Sequence, residues 1–233
     1  MPLLQDIAHG LAHVLFPRLC EGCRTPLITQ EDTLCLTCLF ELPKTGYHAI
    51  TDNEAALRFA GRIPYQQVTS LSHFTEDSLI AHLMHRLKYK NRKEIGLFLG
   101  RQLGHELLKS DWMKTVDLLI PVPLHPKKEA MRSYNQSALL CKGIGEITGT
   151  EVTTKNLSRI KFTESQTLKT REERVRNVKD AFVAKNEEAL KGCHVLLVDD
   201  VLTTGATLEA AANALLVIPQ LKISIATAAL TNS

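Results

Sequence analysis

Apolar and polar positions alternate in two different periods along this chain. "SLIAHLMHRLKY" carries apolar residues at three- and four-residue spacing, which predicts an amphipathic helix. "EIGLFLGRQLGHELLKS" repeats that spacing over four turns and offers Leu97, Leu99, Leu103, Leu107 and Leu108 as core positions. "NQSALLCKGIGEITG" reads as a helix ending at Gly149, and "REERVRNVKDAF" as a short basic helix. Between these lie short runs that are apolar throughout. "VDLLIPVPL" is a strand stopped by Pro121 and Pro123, "HVLLV" is a buried strand, and "LKISIATAAL" is a final strand. "ATLEAAANALLVI" follows "HVLLV" as a helix with an alanine-rich face. Wholly apolar strands alternating with helices predict an α/β fold: an open, mostly parallel sheet with helices on both faces.

The first 47 residues break this rhythm. They open with an apolar segment interrupted by Asp6, His9, Gly10 and His13, which reads as an amphipathic helix rather than a signal peptide. Two Cys-x-x-Cys pairs follow, Cys20/Cys23 and Cys35/Cys38, eleven residues apart. Each pair places two thiolates on one tight turn, and two such turns supply a tetrahedral sulfur set suited to a structural Zn²⁺. With four ligands in place, no position remains for a catalytic water. Cys141 and Cys193 stand alone and read as ordinary buried thiols. The expected organisation is a zinc-ribbon-like domain over residues 1–47, a linker or hairpin over 48–65, and the α/β domain over 66–233.

Composition adds modest constraints. The chain has 233 residues, 44% of them hydrophobic, enough for one good core with a small appendage. No apolar run nears the roughly 18 residues of a membrane span, so a cytoplasmic protein without stable membrane insertion is expected. The net charge of +3 is unevenly spread. Six Lys/Arg face one acid between His82 and Arg101, and nine face four between Lys155 and Lys185. Two readings of these stretches stand: contacts to a polyanion, or solvated helix faces.

The sharpest chemical signal is "VLLVDDVLTTGATL", Val195 to Leu208. A strand runs into Asp199 and Asp200. A loop with Thr203, Thr204, Gly205, Ala206 and Thr207 then opens a helix. Backbone N–H groups at such a helix start, with threonine hydroxyls around them, form a cradle for a phosphate. Two carboxylates beside an anion site make sense if the same ligand offers hydroxyls or a cation. A ribose 5-phosphate does so: its phosphate occupies the loop, its hydroxyls donate to Asp199 and Asp200, and Mg²⁺ shares the region. The patterns G-x-x-x-x-G-K-[ST] and G-x-G-x-x-G are absent.

This stretch closely resembles the phosphoribosyl pyrophosphate (PRPP) motif of type I phosphoribosyltransferases. The four-cysteine box, "IPVPLHPKKEAMRSYNQ", "ESQTLKTREERVRNVKDAF" and the PRPP motif, in that order, resemble the ComF-type family over nearly the whole chain. That family is associated with natural competence. Two departures stand out: Glu129 and Ala130 thin the basic residues after "HPK", and Ser133 stands where relatives mostly carry glycine. The resemblance implies that the segment after "VDLLIPVP" contacts pyrophosphate through Pro123, Leu124, His125, Lys127, Lys128 and Arg132. For His125 a local structural hydrogen bond is an equal alternative. It also implies a loop over the site at residues 166–177. Lys88 and Arg171 are further candidate phosphate contacts, with a solvated basic helix as the alternative for Arg171.

Three functions remain open on the sequence. One is a PRPP-fold binding module handling incoming single-stranded DNA, with a competence helicase as partner. Another is a Mg²⁺-dependent phosphoribosyltransferase of unidentified acceptor, in which Asp199 and Asp200 serve the reacting ribose. The third is a PRPP-sensing regulator.

Overall fold

The structure is a computed structural model, and it describes residues 17–160 and 181–231. The predicted N-terminal helix, the expected loop at 166–177 and Arg171 lie outside these residues. The chain divides into two compact units, 1–43 and 44–233.

The described part of the first unit is built around its cysteines. Leu19 and Pro26 form an antiparallel bridge that closes the first Cys-x-x-Cys turn. The second pair brackets the start of a one-turn helix, α1 (Leu36–Phe40). Cys20, Leu27, Leu34, Cys38 and Leu42 are its buried apolar side chains.

In the second unit, the tract read as a linker or hairpin holds a 3-10 turn (Tyr47–Ala49) and a short helix, α2 (Glu54–Leu57). Asn53 caps α2 by accepting a hydrogen bond from the Ala56 N–H at 3.0 Å. Ala55, Ala56 and Phe59 are buried in the core. A strand follows, β1 (Val68–Phe74), then α3 (Leu79–Tyr89), α4 (Lys93–Leu107) and β2 (Leu118–Pro121). Next come α5 (Pro126–Arg132), α6 (Gln136–Thr148) and β3 (Glu151–Val152). β4 (Leu157–Arg159) and β5 (Phe182–Ala184) pair antiparallel. The unit ends with β6 (His194–Leu202), α7 (Ala206–Leu215) and β7 (Lys222–Thr231).

Five strands form one all-parallel sheet in the order β1-β7-β6-β2-β3. This is the expected open parallel sheet. Its central strand is the one that carries the acid pair. Side chains alternate across a strand, so one buried set of β6, Val195 and Leu197, packs with Phe59, Leu208, Ala211 and Ile225. Leu196 and Val198, equally buried, face the other way. Helices α4 and α6 cross at backbone distance. A Cβ on Gly100 would lie 2.3 Å from the Leu140 carbonyl oxygen, and one on Gly143 would lie 2.3 Å from that of Leu97. Glycine is required at that crossing.

Two local differences from the sequence reading bear on the site. β6 does not stop at Val198; it continues through both aspartates to Leu202. The segment after β2, expected as a loop, is the helix α5, with Pro126 at its first turn.

Candidate functional site

Because all five strands run parallel, their carboxyl ends share one edge of the sheet, where ligands of open α/β folds bind. A cavity of about 590 Å³ opens there. Its walls include Phe74 at the end of β1, Val122 to Leu124 after β2, Asp199 to Val201 on β6 and Thr231 on β7.

The two aspartates differ in their partners. Asp199 Oδ1 accepts hydrogen bonds from the Ser137 hydroxyl and from the Asp200 N–H, both at 2.9 Å. Ser137 is held in place by the start of α6. There the Asn135 side chain accepts from the Ser137 N–H and donates to the Val122 carbonyl, each at 3.0 Å. Asp200 instead pairs with Lys88 Nζ from α3 at 3.0 Å. Burial raises the pKa of Asp199 to about 7, with the Asp200 charge adding to the effect. One carboxylate is thus countered by a lysine, while burial and the neighbouring charge favour the protonated form of the other.

The loop expected to cradle a phosphate is a tight turn onto α7. Gly205 has φ +79°, and a Cβ there would lie 3.0 Å from the Phe59 ring. The left-handed backbone and the aromatic beneath it both call for glycine. Thr204 Oγ1 accepts from the Ala206 N–H at 3.4 Å. From outside, Arg62 donates to the Thr204 carbonyl at 2.9 Å and forms an ion pair with Glu209 on α7. Thr203 and Thr207 face the cavity. Thr204, Gly205 and Ala206 shape the turn that presents them.

Of the segment after β2, Pro123, Leu124 and Arg132 line the cavity. His125 Nδ1 accepts from the Lys127 N–H at 3.2 Å and caps α5, which is the local alternative allowed for it. Burial and the nearby Lys127 charge lower its pKa. Ser133 ends α5 at φ 63°, a left-handed conformation that glycine adopts without strain. Lys88, a candidate phosphate contact, pairs with Asp200.

Several cavity residues were given no role of their own by the sequence. Ser137 and Gln136 arrive with the first turn of α6. Arg159, at the end of β4, lies over the Phe182 ring with its guanidinium carbon 5.2 Å from the centroid. It belongs to the second basic stretch, which was its one trace in the sequence. Arg62 had no trace at all, since its role depends on a contact 142 residues away.

In the first unit, the four sulfurs of Cys20, Cys23, Cys35 and Cys38 lie within 4.8 Å of one another. Tetrahedral thiolates on Zn²⁺ sit about 3.8 Å apart, given a Zn–S bond near 2.3 Å. Cys20 Sγ accepts N–H bonds from Gly22 at 3.4 Å and Cys35 at 3.3 Å, as expected for a thiolate ligand. The hydrogen bond with Thr25 lowers the Cys23 pKa to about 6, while burial raises that of Cys38. This cluster can coordinate a metal ion. Cys141 is fully buried, which raises its thiol pKa well above the ordinary value.

Known proteins resemble this chain over most of its length. The profile of the family described as "Phosphoribosyl transferase domain" matches residues 148–233, which include β6, the acid pair and the cradle. The DNA utilization protein YhgH of Salmonella typhimurium is 31% identical over 211 residues, covering 86% of this chain and 91% of that protein. The chain belongs to the ComF/YhgH family of phosphoribosyltransferase-like proteins. Other ComF/YhgH relatives include Competence protein F of Haemophilus influenzae, 29% identical over 82% of this chain and 87% of that one. Competence protein ComFC of Bacillus subtilis is 26% identical over 91% of this chain and 84% of its own length. As in the sequence reading, no helix among the described residues of this ComF/YhgH chain is long and apolar enough to cross a membrane.

Proposed function

We propose that this ComF/YhgH protein binds PRPP or ribose 5-phosphate with Mg²⁺ and acts in DNA uptake, in the cytoplasm, by handling single-stranded DNA. The observation that carries the ligand class is the sequence of groups along β6 and into α7: Asp199, Asp200, then Thr203 and Thr207 on either side of the Gly205 turn, the four side chains lining one cavity. Asp199 and Asp200 accept from ribose hydroxyls, and Thr203 and Thr207 with the α7 N–H groups hold the 5-phosphate. Arg132 from α5 and the more distant Lys127 and Lys128 serve the pyrophosphate end. Mg²⁺ would be held by Asp199 and Asp200, and it supplies charge neutralisation for a pyrophosphate group. The donor set fits such a hard cation: two adjacent carboxylates, of which Asp199 is destabilised in its charged form until a counter-charge arrives. Zn²⁺ is the metal of the four-cysteine box, with a structural role. The DNA role rests on the competence relatives and the basic stretches, and a competence helicase is the corresponding protein partner.

An enzymatic reading is favoured by one specific observation, the intact acid pair at the ribose position. In that reading the chain is a Mg²⁺-dependent phosphoribosyltransferase. Both readings are tested by calorimetric titration of PRPP with Mg²⁺, followed by a pyrophosphate-release assay with candidate acceptors. Tight PRPP binding without release supports the binding module, release supports the enzyme, and no binding contradicts both.

A further inference from the structure

Gln136 is 1% exposed, lines the cavity, and has a buried side-chain Nε2 without a hydrogen-bond partner. Its other amide atom is engaged: Oε1 accepts from Arg132 at 3.0 Å. An arginine offers only donors, so the amide atom it meets is the oxygen, and the NH₂ is turned away from it. Arg132 therefore fixes the orientation of the amide and leaves two donors unspent in a desolvated place. Buried donors are rarely left so, and a donor that is unpaired at a cavity wall calls for an acceptor on a ligand.

The surroundings state which kind of ligand. The Arg132 guanidinium also lies over the Tyr89 ring, 5.8 Å from its centroid. Tyr89 is 64% exposed, and the His85 ring lies 5.1 Å from it at 47°. His85 and Tyr89 are four residues apart on α3, hence on one face. All four side chains line the cavity, and Lys88, next to Tyr89, is the residue that reaches Asp200. Gln136 likewise precedes Ser137, which reaches Asp199. An exposed aromatic wall with a buried donor edge thus stands beside the acid pair, while the phosphate cradle is supplied by α7.

We propose that Gln136, Tyr89, His85 and Arg132 form a subsite for a nucleobase with carbonyl acceptors, such as thymine, attached to or entering beside the bound ribose phosphate. The ring stacks on the Tyr89 and His85 wall, and a base carbonyl accepts from Gln136 Nε2. Arg132 is a positioning residue that orients the amide. Stacking is sequence-tolerant because every base has a π-face, whereas the donor edge favours acceptor-rich bases. This inference rests on the ribose-phosphate reading of the cavity and names the other half of its ligand.

The test compares two probes that share the sugar phosphate: thymidine 5′-monophosphate and 2-deoxyribose 5-phosphate. Affinities are measured by calorimetry with the full chain. The wild type is expected to bind the nucleotide roughly tenfold or more tightly than the sugar phosphate. Gln136→Leu, Gln136→Glu and Tyr89→Ala are each expected to reduce that ratio towards one while leaving sugar-phosphate affinity unchanged. The unchanged affinity also shows that the variants are folded. Equal affinity of the two probes in the wild type overturns the subsite but leaves the ribose-phosphate reading intact. Loss of inorganic pyrophosphate binding in Gln136→Leu with nucleotide binding unaltered also overturns it, because the donor then serves a phosphate. If the wild type binds neither probe nor PRPP, the ribose-phosphate reading fails and this inference fails with it.

Discussion

Lys88 Nζ lies 3.0 Å from Asp200 Oδ2, and this one ion pair keeps two adjacent carboxylates tolerable at the end of a buried strand. Without it, Asp200 would face Asp199 without the lysine charge. Lys88→Met is expected to cost about 1–2 kcal/mol, since both partners are only partly exposed and a charge-assisted contact is lost. Denaturant unfolding of the variant checks this. Lys88 is also one of the influences lowering the Asp199 pKa, so the variant should titrate at higher pH than the wild type.

Asp199 gives a direct pH prediction. Its folded pKa of about 7 lies above the ordinary carboxylate value, so the folded state holds an extra proton between about pH 4 and 7. This group's contribution to stability is therefore fully present below the ordinary value and is lost as pH rises through 7. Asp199→Asn should raise the melting temperature at pH 8 and leave it nearly unchanged at pH 4. Binding has the opposite sign. A ligand that needs the charged carboxylate should bind more tightly as pH rises from 6 to 8, and Asp199→Asn should remove that dependence.

Gly205 tests the cradle. An alanine there would adopt φ +79° and meet the Phe59 ring at 3.0 Å. Gly205→Ala is expected to cost about 1–2 kcal/mol from backbone strain alone. It should also weaken inorganic phosphate binding tenfold or more, read by calorimetry. Ser133 is the converse case, a side chain at φ 63°. Ser133→Gly should stabilise the protein by about 0.5–1 kcal/mol, measured in urea.

The four-cysteine box predicts one zinc per chain. Chelation at neutral pH should release that metal and remove hydrogen-exchange protection from residues 17–43, while the β-sheet amides stay protected. Cys20→Ser should do the same without a chelator. A chain that carries no metal and keeps its protection when chelator is added would contradict a structural zinc.

The features legible in the sequence were local ones. "VLLVDDVLTTGATL" encodes a strand, two acids and a turn in consecutive residues, and the cysteines announce themselves by spacing. β1 was not legible. Its residues Val68, Thr69, Ser70, Leu71 and Ser72 are mostly polar, yet all five are buried by pairing with β7 and by neighbouring elements. α5 was hidden because the "HPKKEAMR" segment read as a ligand loop, although Pro126 at a first helical turn is a start signal. Ser137, Arg62 and Arg159 were not assignable, because each acts through a tertiary partner: Asp199, Thr204 and the Phe182 ring. The acid pair could be read as a sugar clamp, but its division into a lysine-paired Asp200 and an Asp199 whose pKa is raised depends on α3 and α6 converging on β6.

The most direct measurement is a calorimetric titration of PRPP, with and without Mg²⁺, into the wild type and into Asp199→Asn/Asp200→Asn. The account predicts a single saturable site in the wild type that tightens with Mg²⁺, and at least a tenfold loss in the double variant, which still melts cooperatively. Undetectable PRPP binding by the wild type at saturating Mg²⁺, or binding unaffected by loss of both carboxylates, would contradict it.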